Sequence, residues 1–400
     1  MIHTFDGKTI LVTVSGPDGP GITARLMKII SEYKVEVLDM GQAVTHGLLS
    51  LSFVLGLDPD EHSNSGNVLK DLLFEANLIG LTLSYKVVEK KINTPEMDGD
   101  KFIVTCVSPE VITAQFVSDL AHTLAKHKIN IERIDKVSPR EFSSMEISTS
   151  ISKTLDTKSL KEELMKVSTI HRVDVAFLKD NAFRRNKRLI VFDMDSTLIQ
   201  TEVIDELADL CGVGEEVRKV THRAMNGEID FDESLRLRVS KLKGLDVKKM
   251  QTVLENLPFT PGVEEFIKTI KSLGYKVALI SGGFTFFADA LKAKLGLDYS
   301  FANELEIVDD KLTGNVKGTI VNANQKALLV KLIAQQENIS LEQVVAIGDG
   351  ANDLPMLATA GLGIAFHAKD VVRREAQQHL SHGPMTSILY FLGIPGPTSC

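Results

Sequence analysis

The stretch that decides the fold is RLIVFDMDSTLI, residues 188–199. An apolar run of strand length ends in two carboxylates, Asp193 and Asp195, and Thr197 follows them. Carboxylates at the end of a buried strand are costly to keep charged and unpaired. A hard divalent cation removes that cost, because magnesium commonly binds one or two carboxylates together with substrate phosphate. The pattern therefore predicts a magnesium site at this strand end. The alternative is a surface turn rich in aspartate and serine.

Strands and helices alternate on the C-terminal side of this stretch. Strand candidates are YKVALI, VVAIG and LGIAF, and amphipathic segments such as VEEFIKTIKSLG and FFADALKAKLG lie between them. The alternation predicts a doubly wound α/β domain, a parallel sheet with helices on both faces. Residues 201–257 interrupt it with helical segments alone. We expect these to form a helical cap over the carboxyl ends of the strands, where such sheets bind ligands.

A second segment, VVAIGDGANDLPM, repeats the arrangement of an apolar strand followed by polar side chains. The strand ends before Asp349, and Asn352 and Asp353 open a helix. Carboxylates at a second strand end can complete a metal site. The alternative is an ordinary helix N-cap at Asn352 or Asp353, stabilised by the helix dipole.

Two more segments place groups that suit a phosphate. In VALISGG a strand leads to Ser281, Gly282 and Gly283, which we expect at the start of a helix, where a hydroxyl and backbone N–H groups form an anion cradle. In NANQKALL, Lys326 lies near the start of a helix, where the helix dipole disfavours a cation. A role in neutralising phosphate is therefore expected, against the alternative of a solvated surface lysine.

The N-terminal half contains one order of elements twice. Strand, helix, two strands, helix and strand are predicted from about Lys8 to Val88, and the same order recurs from FIVTCV to HRVDVAFL. The tripeptide ITA, at Ile22 and again at Ile112, supports a duplication. Two ferredoxin-like βαββαβ modules in tandem are therefore expected. The predicted domains are residues 1–90, 99–180 and 187–398, with the cap at about 202–258.

Composition limits the classes of function. A chain of 400 residues predicts two or three domains. A formal net charge of −8 argues against a nucleic-acid partner. The cysteines, Cys106, Cys211 and Cys400, include no CxxC pair, which favours a reducing compartment. Neither a signal peptide nor a membrane-spanning run is found, so we expect a soluble cytoplasmic protein without a membrane partner.

The order and context of the four C-terminal segments resemble the haloacid dehalogenase superfamily, and within it the branch that acts on phosphoserine. The resemblance implies a HAD-like, Rossmannoid fold and an aspartyl-phosphate mechanism. Asp193 would be the nucleophile, and Asp195 would protonate the leaving oxygen and then activate water. Mg²⁺ would be held by the Asp193 carboxylate, the Asp195 backbone carbonyl and Asp349, with Asp353 close behind. The groups implied to hold substrate in this part of the site are Ser281, Gly282, Gly283, Lys326 and Asn352.

The cap is implied to select the substrate. The phosphoserine branch has a glutamate shortly after the first segment, matched here by Glu202, and cap residues matched by Met225, Phe231 and Arg238. Arg238 can hold a carboxylate through two hydrogen bonds, and Glu202 can attract an ammonium. Met225 and Phe231 would exclude water. The alternatives are that Met225 and Phe231 are core residues and that Arg238 is one charge on an amphipathic helix.

The N-terminal half resembles tandem ACT domains, which often sense amino acids. The match rests on the βαββαβ order and on SGPDGPGITARL, in which Asp18 and Gly21 bracket a turn into a helix. Serine is the implied effector there. Ser108 and Val111 replace these residues in the second copy, so ligand binding by that copy is not expected. The ACT-like modules imply a homodimer, and the alternative is that they pair without any ligand.

The predicted function is Mg²⁺-dependent hydrolysis of O-phospho-L-serine to serine and phosphate, the last step of serine biosynthesis, with feedback by serine at the ACT-like modules. A first alternative is a phosphatase or phosphotransferase for another amino-acid phosphate, such as phosphothreonine or phosphohomoserine. A second alternative is an amino-acid sensor with a vestigial phosphatase half. Intact Asp193, Asp195, Lys326 and Asp349 argue against such decay.

Overall fold

The computed structural model describes residues 8–33, 35–57, 64–88, 99–139, 141–225 and 228–395. The chain divides into a first unit, Met1–Met97, and a second unit, Asp98–Cys400. The polar run EKKINTPEMDGD, residues 89–100, predicts a linker between the two modules. Residues 89–98 of it lie outside the described residues, and Gly99 and Asp100 belong to a strand. The limits of the three predicted domains stay a prediction.

The first unit is one βαββαβ module, as predicted. Its antiparallel sheet has the strand order β2-β3-β1-β4. Alternate residues of β1, among them Val12 and Val14, meet Leu26 and Ile30 of α1 in the core, because successive strand residues point to opposite faces. The elements are β1 (Lys8–Pro17), α1 (Ile22–Glu32), β2 (Glu36–Thr45), β3 (Leu48–Leu57), α2 (Asn64–Leu78) and β4 (Thr82–Val88).

The second unit opens with another module of the same topology, with the strand order β6-β7-β5-β8. Helix α3 is capped by the Thr113 hydroxyl, and α4 by the Asp156 carboxylate. The tandem βαββαβ prediction is therefore confirmed. The elements are β5 (Gly99–Val107), α3 (Ala114–Lys126), β6 (Asn130–Lys136), β7 (Ser144–Ser152), α4 (Thr157–His171) and β8 (Asp174–Lys179).

The remainder of the second unit is a doubly wound α/β domain, also as predicted. Its seven-stranded sheet has the order β12-β11-β10-β9-β13-β14-β15. All neighbours are parallel except β11 and β12, which form an antiparallel hairpin that was not foreseen. Its strands are β9 (Leu189–Phe192), β10 (Lys276–Phe284), β11 (Tyr299–Val308), β12 (Lys311–Lys317), β13 (Val344–Gly348), β14 (Leu362–Phe366) and β15 (Gln378–Leu380).

Helices cover both faces of this sheet. Strand β9 is buried on both sides, with Ile190 and Phe192 in one core and Leu189 and Val191 in the other. A central parallel strand needs apolar side chains on both faces, which explains its unbroken apolar run. The α-helices of this domain, including the four of its cap, are α5 (Val203–Leu210), α6 (Gly214–Met225), α7 (Phe231–Lys241), α8 (Val247–Glu255), α9 (Val263–Ser272), α10 (Thr285–Leu295), α11 (Ala323–Gln336), α12 (Leu354–Thr359), α13 (Asp370–Glu375) and α14 (Ile388–Phe391).

Helices α5 to α8 form the predicted helical cap, and the hairpin of β11 and β12 supports it. The backbone N–H of Gly244 donates to the Leu312 carbonyl at 2.8 Å, and the Leu312 N–H donates to the Leu245 carbonyl at 2.9 Å. An added Cβ at Gly314 would lie 3.3 Å from the Cα of Ser240 in α7. The cap is therefore fixed at one end to the β12 edge of the seven-stranded sheet.

The second module and the seven-stranded sheet share a hydrophobic core. Strand β8 is buried on both faces. Val175 and Phe177 pack in the core of the module, and Ala176 and Leu178 pack in the core that lies against the seven-stranded sheet. The Gln378 side chain in β15 accepts from the Phe177 N–H at 2.9 Å and donates to the Phe177 carbonyl at 2.7 Å. The Gln378 side chain thus makes the two hydrogen bonds to Phe177 that the backbone of a neighbouring strand would otherwise make. Within the described residues, no helix combines the length and apolar character that crossing a bilayer requires.

Candidate active site

Strand β9 delivers Asp193 to the carboxyl edge of the sheet. The Asp193 N–H donates to the Ile347 carbonyl of β13 at 2.9 Å, and the Met194 N–H donates to Asp193 Oδ1 at 2.8 Å. The chain then turns sharply, with Ser196 at a φ of 55°. The turn therefore follows directly after the two carboxylates Asp193 and Asp195.

Lys326 lies beside Asp193. Its Nζ is 2.8 Å from Asp193 Oδ1 and 2.7 Å from Asp353 Oδ1, and the residue is 1% exposed. Burial alone would lower the pKa of Lys326, but the two carboxylates raise it above its ordinary value. Helix α11 can present a lysine in its first turn because Asn322 caps the helix and accepts from the Gln325 N–H at 3.1 Å.

Three carboxylates form an acidic cluster at this edge. One oxygen each from Asp193, Asp349 and Asp353 lies within 4.8 Å of the others. The Thr197 hydroxyl donates to Asp349 Oδ1 at 3.0 Å, and the Gly350 N–H donates to Asp353 Oδ2 at 3.0 Å. Burial, together with the negative charge of Asp353, raises the pKa of both Asp193 and Asp349, that of Asp349 to about 7. Such a set of oxygen ligands suits a hard divalent cation.

Asp195 faces the first turn of the cap. Its Oδ1 accepts from the Val203 N–H at the start of α5 at 2.9 Å. Burial raises the pKa of Asp195 to about 8, and the negative charges of Glu202 and Asp349 add to this effect. A carboxyl group with this pKa holds a proton at neutral pH, as a general acid must.

Ser281 and its glycines lie within a strand and not at a helix start, contrary to expectation. Strand β10 continues to Phe284, because Phe284 pairs with Asn303 of β11 after a bulge. The buried Ser281 hydroxyl accepts from the Gly283 N–H at 2.8 Å. An added Cβ at Gly283 would lie 2.8 Å from Asp195 Oδ2, so a larger residue here would displace the Asp195 carboxyl group.

Cap residues approach the same edge. An added Cβ at Gly282 would lie 3.0 Å from the Phe231 ring, so the ring covers this glycine closely. Glu202 accepts from the Ser196 hydroxyl at 2.9 Å. Burial lowers the pKa of Arg238, against the opposing negative charges of Glu202, Asp205 and Asp195. Its Nε donates to the Ser234 carbonyl at 3.4 Å, and its guanidinium forms no ion pair with a described carboxylate.

Relatives with known names match nearly the whole chain. A phosphoserine phosphatase of Streptomyces coelicolor is 39% identical over 397 residues, which cover 98% of this chain and 94% of the relative. One of Mycobacterium tuberculosis is 38% identical and covers 96% and 93%. The chain belongs to the phosphoserine phosphatase family. The phosphoserine phosphatase of Saccharomyces cerevisiae is 40% identical over 73% of this chain and 96% of its own length.

Family profiles and solved structures match separate regions of this phosphoserine phosphatase family member. The haloacid dehalogenase-like hydrolase profile matches residues 187–361, and ACT domain profiles match residues 8–86 and 103–178. A HAD family hydrolase from Salmonella enterica serovar Typhi superposes with a TM-score of 0.65 at 33% identity, over 73% of this chain and 98% of its own. A probable phosphoserine phosphatase from Vibrio cholerae gives 0.60 at 38% identity, over 76% and 89%.

The structure gathers most of the predicted site residues at one edge. Asp193, Asp195, Ser281, Lys326 and Asp349 lie there together, with the cap residues above. Asp353 belongs to the cluster through its pair with Lys326. Haloacid dehalogenase-like phosphatases are metal-dependent, and this cluster offers the oxygen ligands that a metal ion needs.

Two predicted residues are less closely tied to the site. Asn352 lies in the turn before α12, where its Oδ1 would be 2.2 Å from an added Cβ at Gly350, and no described partner holds its amide. Its place in the substrate set stays a prediction. The side chain of Met225 lies outside the described residues, so its predicted contact also stays a prediction.

Sequence reasoning missed residues that position the site. Asn303 donates to the Gly282 carbonyl at 2.8 Å and accepts from the Val321 N–H at 2.8 Å, so it ties the serine segment to the loop before α11. Asn322 donates to Asp232 of the cap at 3.1 Å. Neither asparagine stands in a recognisable spacing, because each partner is distant in sequence.

The predicted effector turn lies in the first unit. Gly21 has a φ of +90° at the N-cap of α1, a conformation that favours glycine, and an added Cβ would meet nothing within 4 Å. The Asp18 N–H donates to the Gly47 carbonyl at 2.8 Å, and the Asp18 side chain is exposed. The turn thus leaves open space beside the helix start.

Proposed function

We propose that this chain is a phosphoserine phosphatase that hydrolyses O-phospho-L-serine to L-serine and phosphate. The observation that carries the proposal is the surroundings of Asp193. Its carboxylate lies at a strand end, 2.8 Å from the Lys326 ammonium and within 4.8 Å of the Asp349 and Asp353 oxygens. Such a group can attack a phosphoryl centre whose negative charge the ammonium offsets.

The reaction proceeds in two steps. An oxygen of Asp193 attacks phosphorus and the bond to the serine oxygen breaks, while Asp195 gives its proton to that oxygen. Water then attacks the phosphorus of the aspartyl phosphate and loses a proton to Asp195, which releases phosphate and restores both side chains. A pKa of about 8 leaves Asp195 protonated before the first step. The Ser281 hydroxyl and Lys326 bind the phosphoryl oxygens.

The proposed cofactor is Mg²⁺. Asp193, Asp349 and the Asp195 backbone carbonyl would hold it, and the ion would offset the charge of the phosphoryl group. Asp353 is the less available ligand, because Lys326 and the Gly350 N–H already occupy its two oxygens. Asp353 therefore positions Lys326.

Selection of the substrate is assigned to the cap. Arg238 has no described carboxylate partner, so its guanidinium is available for the carboxylate of phosphoserine. Glu202 attracts the ammonium, and Phe231 closes the site above Gly282. The same groups would suit phosphothreonine and phosphohomoserine, which makes another amino-acid phosphate the second candidate. A sensor with a vestigial phosphatase half is disfavoured, because the catalytic groups are in contact.

Phosphate release from a panel of substrates tests this function. The panel contains phosphoserine, phosphothreonine, phosphohomoserine and glucose 6-phosphate, each assayed with Mg²⁺ and with EDTA. We expect release that requires the metal and is fastest for phosphoserine. Comparable turnover of the sugar phosphate would keep the chemistry and contradict the roles of Glu202 and Arg238. Phosphate release that is unchanged by EDTA would contradict the requirement for a metal ion.

We also propose regulation by serine at the Asp18–Gly21 turn. A homodimer, a cytoplasmic location and the domain limits given above are further proposals. The open space at Gly21 supports the effector site. Serine titrated into the full chain should release or absorb heat, and Asp18→Ala should weaken that binding. A serine affinity unchanged by Asp18→Ala would contradict this site without touching the catalytic proposal.

A further inference from the structure

A cavity of about 750 Å³ lies at the junction of the second βαββαβ module and the catalytic sheet. Helix α4 forms one wall and α13 the other, and the ends of β8 and β15 form the floor. It shares no residue with the candidate active site, and the predicted effector turn belongs to the first unit. Cavities of this size at domain junctions are typical places for small ligands.

One face of α4 is turned to the cavity. The α4 residues that line it include Lys158, Lys161, Glu162, Met165, Lys166 and Thr169, whose i, i+3, i+4, i+7, i+8, i+11 spacing aligns side chains on one helix face. The opposite face, with Leu160, packs in the core of the module. The charged face of α4 therefore belongs to the cavity wall.

Positive charge predominates in the lining. Asp370 is already paired with Arg373, whose Nε is buried without a hydrogen-bond partner among the described residues. Desolvation lowers the pKa of Lys161, although its side chain as a whole is exposed, and no described carboxylate pairs with it. The cations in the lining are Lys158, Lys161, Lys166, Arg373 and Arg374, and the acids are Glu162, Asp370 and Glu375.

The lining also has an apolar part. Met165 and Ile170 of α4 and Ala376 beyond α13 contribute carbon surface, and the almost fully buried Val175 and Phe177 of β8 lie beneath them. Ile170 is 74% exposed, so a ligand in the cavity can bury this aliphatic side chain. Apolar surface beside unpaired cationic groups matches a ligand with an apolar body and one negative end.

We propose that this cavity binds a small molecule in which an apolar body carries a single carboxylate. The cationic groups of α4 and α13 hold the carboxylate, and Met165, Ile170 and Ala376 cover the apolar body. Because β15 continues into residues 381–383, which the module's Asp174 holds, a ligand here contacts the junction that joins the module to the catalytic sheet. This site is independent of the proposed hydrolysis.

Fluorescence offers a direct test, since the chain contains no tryptophan. Ile170→Trp places one indole on the cavity wall of the full-length protein, and Leu273→Trp, at a position 54% exposed and outside the lining, is the matched control. The probe is 3-phenylpropionate, compared with its neutral amide, 3-phenylpropanamide. We expect a saturable emission change with the carboxylate in Ile170→Trp alone, and binding of the amide about tenfold weaker.

Charge reversal provides the second arm. Lys161→Glu with Lys166→Glu, in the Ile170→Trp background, should weaken 3-phenylpropionate binding by about tenfold or more, because attraction becomes repulsion. Lys268→Glu with Lys331→Glu, which change two exposed lysines outside the lining, should leave it within about twofold. The proposal is overturned by no saturable change with 3-phenylpropionate, by equal affinity for the amide, or by equal weakening in the control pair.

Discussion

Asp174 is expected to hold the second module to the catalytic sheet, and Asp174→Asn should loosen that junction. Asp174 is fully buried, and its Oδ1 accepts from the Ser381 N–H at 2.6 Å. Its Oδ2 accepts from the His382 and Gly383 N–H groups, each at 3.0 Å. An asparagine amide offers one oxygen, so at least one of the three N–H groups loses its acceptor, and the others lose a charged one.

The cost follows from these contacts. A buried N–H without a partner costs about 1–3 kcal/mol, and replacing a charged acceptor costs about 0.5–1 kcal/mol for each remaining bond. The free energy of opening residues 381–383 should therefore fall by about 2–5 kcal/mol, which corresponds to about 30- to 4,000-fold faster amide exchange there. Hydrogen exchange measured by mass spectrometry on peptides that contain these amides gives the value directly.

The control is Asp180→Asn, which removes an exposed charge just after the end of β8. It should leave exchange at residues 381–383 within about twofold, since exposed charges contribute little. Unchanged exchange of these amides in Asp174→Asn would refute the role given to Asp174. Equal acceleration in both variants would show that net charge, and not the three hydrogen bonds, holds the loop.

Three further predictions concern the active site. Arg238→Ala should raise KM for phosphoserine about 10- to 100-fold and leave phosphoethanolamine, which lacks a carboxylate, nearly unchanged; equal effects on both would contradict the contact. Gly283→Ala should lower kcat about 100-fold, because the new Cβ would lie 2.8 Å from Asp195 Oδ2 and displace the proposed general acid, whereas Gly41→Ala, with open space, should not. Metal-free stability should fall from about pH 4 to pH 8, because the folded pKa values of Asp195, about 8, and Asp349, about 7, exceed the unfolded value of about 4. The rise in Tm on adding Mg²⁺ should therefore grow from pH 5 to pH 8, and a rise that shrinks would contradict this sign.

The strand-end carboxylates were predictable because a local pattern determines them. An apolar run such as that of β9 is buried on both faces wherever it lies in a parallel sheet, so Asp193 had to emerge at the sheet edge. Lys326 was predictable as an exception to the helix dipole rule. The repeated order of elements indicated the two modules in the same local way.

Contacts between distant residues could not be predicted. The end of β10 is set by the pairing of Phe284 with Asn303, which no local signal shows, so the helix start was placed at Ser281. Gln378 and Phe177 are 201 residues apart, and a glutamine in a short strand is not a recognisable partner for a backbone amide. The shared core of the second module and the catalytic sheet depends on such contacts.

Phosphate release from phosphoserine by Asp193→Asn, measured with Mg²⁺ present, tests whether Asp193 is the nucleophile. Removal of a nucleophile from a catalytic group that acts as a unit costs about 10⁴-fold or more in kcat. We expect a loss of at least this size in Asp193→Asn, with the protein still folded by circular dichroism. A rate within about tenfold of the unmodified chain would contradict the aspartyl-phosphate mechanism.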